Sequence, residues 1–143
     1  MLLFKPYHVF PLVASALPIE GWPEGMRPKT HTRRIWKRPR AKIGSTHQCK
    51  LNFYDPHFAR VDIRDVYEQP LGEMTEEDAK AEGGYTLAEY ARIWQIINGE
   101  PLNPLEEVWV VEMLCVEVNI SSSDLVKYGS MYREHMQALR SAA

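Results

Sequence analysis

The sequence predicts an α+β fold: a small mixed β-barrel or sheet, short helices at one side, and an extra helix at the C-terminus. Three observations carry that expectation. Residues 58–67 alternate apolar and polar side chains with period two, as a half-buried antiparallel strand does. Thr75 and Thr86 each stand before an acidic, helix-forming stretch, as N-caps do. Residues 107–116 are a dense β-branched run, and beyond them Leu125, Tyr128, Tyr132, Met136 and Leu139 recur on one helical face. At 143 residues the chain suits one compact domain.

Taken in order, Leu2-Leu3-Phe4 reads as a short first strand. Residues 11–28 carry Pro11, Pro18, Pro23 and Pro28 with Gly21 and Gly25, a density of breakers that predicts loop or short turns, with room for one helical turn at 13–17. Residues 27–42 read as a basic loop. Residues 45–54 form a strand, Asp55-Pro56 a turn, and the alternating run 58–67 the second arm of a hairpin.

Thr75 caps a helix whose first turn is acidic, which complements the helix dipole, and Gly83-Gly84 end it. Thr86 and Glu89 make a T-x-x-E capping box for the next helix. Leu87, Tyr90, Ala91, Trp94 and Ile97 share one face of that helix, read as core packing, and Gly99 and Pro101 close it. The run 107–116 is a central, well-buried strand. Ser123 then caps a last helix, appended after Asn119, whose apolar face packs on the body or on a second copy of the chain.

Charge divides the chain. Its 17 Lys and Arg against 19 Asp and Glu give a formal charge of −2, which argues against a uniformly basic nucleic-acid protein. Yet residues 27–64 hold 11 basic residues against two acids, and residues 65–117 hold 13 acids against two bases. Lys5 and Pro6 interrupt the first apolar residues, and no run approaches the roughly 20 apolar residues of a membrane span. A cytoplasmic protein without membrane attachment is expected. Cys49 and Cys115 read as half-buried strand residues, not a disulfide framework. The five histidines show no ligand spacing, so neither a metal nor another cofactor is expected.

Residues 27–42 contain eight Lys or Arg and no acid. Clustered cations attract phosphates, and Trp36 among them could stack on an unpaired base. Pro28 and Pro39 restrain the segment and lower the ordering cost on binding. Glu82 lies at the end of a short helix beside two glycines that leave room for a ligand.

The pieces Phe4-Lys5-Pro6-Tyr7, Lys29-Thr30-His31-Thr32-Arg33-Arg34, Ile43-Gly44, Thr75-Glu76-Glu77-Asp78-Ala79, Glu82-Gly83-Gly84-Tyr85-Thr86-Leu87 and Val108-Trp109-Val110-Val111-Glu112 follow one another in a familiar order. Over residues 2–117 the chain resembles the ASCH domain family, a branch of the PUA-like β-barrels. The resemblance implies a PUA-like mixed β-barrel of about 5–6 strands over residues 1–118, a helical extension over 119–143, and a cleft proposed to bind RNA. The family signature, similar to G-x-K-x-x-E-x-R, falls on Arg27, Lys29, Thr32 and Arg34, with arginine replacing the glycine and threonine the acid. Members that hydrolyse N4-acylated cytidines also carry threonine there. The resemblance gives Lys29 the role of proton acceptor, Thr32 that of nucleophile and Glu82 that of proton donor.

Two functions are therefore expected to compete. The first is binding of RNA or a nucleobase, with Arg27, Arg33, Arg34, Trp36, Lys37, Arg38, Arg40 and Lys42 around the nucleic acid and Trp36 or Tyr85 stacking a base. The second is deacylation of an N4-acetylcytidine-type nucleoside. Like charges around Lys29 lower its pKa so that it can take the Thr32 proton, and a buried Glu82 protonates the leaving amine. Lys29 and Thr32 face the same way if their turn is helical. A ribonuclease using the same cleft lies between the two, and a homodimer through the last helix is the partner-binding alternative.

Overall fold

The computed structural model describes residues 1–17 and 27–141. Within them lie five strands, β1 (Leu2–Leu3), β2 (His31–Arg34), β3 (Thr46–Lys50), β4 (Ala59–Pro70) and β5 (Glu107–Val118). The helices are α1 (Pro6–Val13), α2 (Glu76–Ala81), α3 (Leu87–Asn98) and α4 (Ser122–Ser141), with a 3-10 turn at Leu71–Glu73. The strands make one curled, half-barrel sheet in the order β1-β3-β4-β5-β2, and the fold is α+β as expected.

The spine of the sheet is the antiparallel pair β4–β5, joined from Ala59↔Val118 to Pro70↔Glu107. Its register shifts between Arg60 and Val61 and again between Ile63 and Asp65. Such bulges bend a strand and increase its twist, which curls the sheet. In β5, Val111, Met113 and Cys115 face a core shared with α1, whereas Val108 packs among the helices. Successive side chains point to opposite faces; both are buried only towards residues 108–111, and beyond Glu112 the second face carries the exposed Leu114 and Val116. β3 and β4 form the expected hairpin, shorter in its first arm and longer in its second.

Both threonine caps are present. The Thr75 and Thr86 hydroxyls accept from the Asp78 and Glu89 amides, and the Asp78 and Glu89 carboxylates accept from the threonine amides. Gly99 closes α3 in the left-handed conformation. The Asp124 amide donates to Ser121 Oγ, so the cap of α4 sits two residues before Ser123.

Two expectations about local structure are corrected. Residues 6–13 are helical where Pro11 suggested a loop; the prolonged reading of breakers at 18–26 falls outside the described residues. Pro6 occupies the first helical positions, where its missing N–H costs nothing, and burial of every residue from His8 to Val13 outweighs Pro11. Within the basic segment, residues 31–34 are a strand paired antiparallel to β5 from His31↔Glu112 to Arg34↔Trp109.

The apolar face of α4 is turned inward. Tyr132, Met136 and Leu139 are buried, and Leu125 and Tyr128 pack against the same core. Gly129 lets α1 approach closely, since a Cβ there would lie 3.2 Å from Phe10 Cε2. Among the described residues, no helix is long and apolar enough to cross a membrane.

Candidate functional site

A cavity of about 350 Å³ opens between the N-terminal strand, β2 and α3, lined by Lys29, Thr32, Arg33, Arg34 and Glu82 together with Phe4, His8, Tyr90, Ile93 and Trp94. Lys29 is fixed before its side chain is considered. Its amide donates to Pro11 O at 2.8 Å, and the next amide, of Thr30, donates to Ala81 O at 2.9 Å. These two bonds strap the segment leading into β2 across α1 and α2. β2 is the last strand of the sheet, so side chains from both of its faces reach the cavity.

Glu82 comes from the C-cap of α2, and Gly83 and Gly84 follow with φ of 149° and 86°. Those glycines do not make space for a ligand, as the sequence suggested. They turn the chain away from the cavity, with Gly83 against the Tyr85 ring, where a Cβ would meet Cε2 at 3.1 Å. Tyr132 OH donates to Gly83 O at 2.7 Å and fixes the turn.

Three charges meet in this space. Lys29 Nζ donates to Glu82 O at 2.7 Å and His31 O at 2.9 Å, and stands 3.6 Å from Glu82 Oε2. Arg33 Nη1 is 3.6 Å from Glu82 Oε1, and Nη2 donates to Gln69 Oε1 at 2.8 Å. Tyr90 OH donates to Glu82 Oε1 at 2.9 Å. All three charged side chains are buried. After these bonds, Arg33 Nε, Arg33 Nη1 and Glu82 Oε2 have no hydrogen-bond partner. Such atoms cost about 1–3 kcal/mol each, so their retention calls for a reason.

Burial pushes the Lys29 ammonium down to about 8; Glu82 pulls it back up, and Arg34 and Arg33 add to the lowering. The direction is the one expected from the sequence, but loss of water is the larger cause and like charge the smaller. Thr32 Oγ1 accepts from Arg34 Nε at 2.9 Å, and no hydrogen bond joins it to Lys29. The segment is extended, not helical, and residues three apart point to opposite faces of an extended chain; both line one cavity because β2 is the edge of the sheet and Lys29 lies just before it.

The remaining cations divide by position. Arg33 is buried, and Arg34 is half-buried and stacks its guanidinium 5.0 Å above the Phe4 ring. Arg27, Lys37, Arg38, Arg40 and Lys42 are exposed and outside the cavity lining. Trp36 is half-buried against the sheet-side core. Tyr85 cannot serve as a stacking platform: it is fully buried, with its hydroxyl 2.7 Å from both His8 Nε2 and His135 Nε2. Conversely, His8, Tyr90 and Trp94 line the cavity though the sequence marked none for a site. The helical stripe that contains Tyr90 and Trp94 reads as core because it is core; the same rings also wall the cavity.

Among the described residues, no group of three or more His, Cys, Asp or Glu is placed to hold a metal ion. Cys49 and Cys115 are free and buried, and burial raises their thiols to about 12 and about 11.

No family model matches the chain, and no curated protein matches its sequence. A solved structure is similar in fold: protein EF3133 from Enterococcus faecalis V583, described as DUF984, with a TM-score of 0.50 and 18% identity. The match covers 67% of this chain and 66% of that one, so the chain spans just under two thirds of that neighbour's length. At this identity the likeness concerns the fold alone.

Proposed function

We propose that the protein binds a nucleobase, free or within an RNA, in the cavity between β2 and α3. The observation that carries this reading is the unpartnered set Arg33 Nε, Arg33 Nη1 and Glu82 Oε2. The three atoms are buried, so a ligand edge with acceptors beside donors completes them as the Arg33 and Glu82 side chains turn into the cavity. An unstacked base has such an edge and apolar faces suited to the ring-lined wall. A phosphodiester offers acceptors only and leaves Glu82 unmatched. The resemblance to the ASCH domain family through residues 29–34 and Glu82 supports the same ligand class. The exposed Arg27, Lys37, Arg38, Arg40 and Lys42 then follow the phosphates of an RNA.

The test is a titration of the four ribonucleosides and of single-stranded and hairpin RNA across a salt series. Nucleoside affinity should change little with salt, whereas RNA affinity should fall steeply. Absence of nucleoside binding, with RNA binding wholly removed by salt, contradicts the reading.

One observation favours a second reading, deacylation of an N4-acylated cytidine. A lysine near 8 that shares a cavity with Thr32 and Glu82 has a substantial neutral fraction at mildly alkaline pH. Thr32 Oγ would attack the amide carbonyl as its proton passes to neutral Lys29, and Lys29 would hand that proton to the Glu82 carboxylate 3.6 Å away. Glu82 would deliver it to the departing amine as the C–N bond breaks, and water would release the acyl group from Thr32 as the carboxylic acid. Lys29 now donates to two carbonyls, so ligand binding must bring base and nucleophile together. Release of cytidine and acetate from N4-acetylcytidine, lost in Lys29→Ala, is the expected result; unchanged hydrolysis in that variant removes the mechanism.

A further inference from the structure

Resting on the reading of this cavity as the ligand site, we propose that His8 is a specificity-determining group that presents a bare ring nitrogen as hydrogen-bond acceptor, and that His135, acting through Tyr85, positions it by fixing its tautomer. His8 lines the cavity from α1, and its Nε2 is 2.7 Å from Tyr85 OH. The same hydroxyl is 2.7 Å from His135 Nε2 on α4. The hydroxyl carries one proton, so it donates to one ring and accepts from the other. Two neutral imidazoles joined this way must be opposite tautomers. The ring that donates through Nε2 keeps a lone pair on Nδ1; the ring that accepts at Nε2 carries its proton on Nδ1.

Both rings are neutral at pH 7. Burial, with Lys29, His135, Arg34 and Lys5 adding to it, holds His8 well below the usual imidazole range. Burial holds His135 at about 4 against the upward pull of Glu89. His135 gives the Tyr85 hydroxyl an acceptor, which frees His8 to be the donor, and the same cations favour that direction over its reverse. A lone pair on the remaining nitrogen of His8 is favoured in their field and a second N–H is not. His8 therefore donates to Tyr85, and Tyr85 donates to His135. The His135 ring is held for this role by the Tyr7 ring, stacked at 3.8 Å and 9°. The cavity thus presents two acceptors, His8 Nδ1 and Glu82 Oε2, and selects a ligand with more than one N–H or O–H.

Long-range proton–nitrogen correlation spectra of the full chain at pH 7 test this directly. The expected result is His8 protonated on Nε2 and His135 on Nδ1. In His135→Phe, which keeps a ring beside Tyr7, Tyr85 must donate to His8, so His8 should switch to the Nδ1–H form. The same tautomer in both rings of the parent protein, His8 in its Nδ1–H form, or no switch in the variant overturns the proposal. The parent spectrum decides even if the variant fails to fold. Titration with cytidine, uridine, adenosine and guanosine separates this from the function itself. If no nucleoside moves any resonance of the cavity, the nucleobase reading fails while the tautomer result stands. If Lys29 and Glu82 respond and His8 Nδ1 does not, the specificity role of His8 fails alone.

Discussion

Glu82 and Glu89 stand seven residues apart, and both are buried, yet they are treated oppositely by the fold. Glu89 accepts from the Thr86 amide at 2.9 Å and from Arg140 Nε at 3.0 Å, so each oxygen has a partner. Burial raises its pKa, but those bonds and the Arg140 charge outweigh it, and the net shift is downward. Glu82 receives Tyr90 OH on one oxygen; the other is unpartnered, with Lys29 and Arg33 each held 3.6 Å from the carboxylate. One carboxylate is finished by the fold and serves it. The other is left with one oxygen unfinished. A buried charge by itself marks neither structure nor function; the count of unmade bonds separates them.

Removing each carboxylate should sharpen the contrast. Glu82→Ala strips Lys29 of its counter-charge and leaves Arg33 only the Asp78 carboxylate, 3.7 Å from Nη2, and a loss of about 3–5 kcal/mol in urea unfolding is expected. Glu89→Ala removes half a capping box and the tie between α3 and α4, for about 1–2 kcal/mol. Equal losses would erase the distinction between the two regions.

The Lys29 side of the cluster gives a smaller effect with a fixed sign. The amine titrates at about 8 in the folded protein; in an unfolded chain the value is near 10.4. Below pH 8 both states carry the proton and the cost of burying the charge is constant. Above pH 8 the folded state releases it first, so this group's contribution to stability rises with pH. Relative to Lys29→Met, the parent should gain about 1–2 kcal/mol between pH 8 and pH 9.5. A difference that stays flat would show an ordinary lysine. Smallest of all, Arg38→Ala and Arg40→Ala should leave stability within about 0.5 kcal/mol. Each should lower the salt dependence of RNA binding by about one phosphate contact.

The sequence made the two sides of the contrast unequally legible. Thr86 and Glu89 announce a capping box because both partners lie within one helical turn, and the structure contains it. The alternation of β4 and the apolar face of α4 were legible for the same local reason. The Glu82 region is assembled from residues 53 positions apart, and only the resemblance to a family put Lys29, Thr32 and Glu82 in one set. β2 is four residues long and half arginine, and its strand character comes from pairing with β5. Helix α1 was hidden by Pro11, because propensity is a local quantity and the burial that overrides it is not. His8 carried no signal at all: its partners, Tyr85 and His135, are 77 and 127 positions away.

The most direct test is calorimetric titration of the parent, Glu82→Gln and Glu89→Gln with the four ribonucleosides. Each variant removes one charge from one buried carboxylate, and only Glu82 faces the cavity. The account predicts that at least one nucleoside binds the parent and Glu89→Gln alike, and that Glu82→Gln weakens it by about tenfold or more, the worth of one hydrogen bond to a charged group. No binding by any nucleoside, or equal binding by both variants, would contradict it.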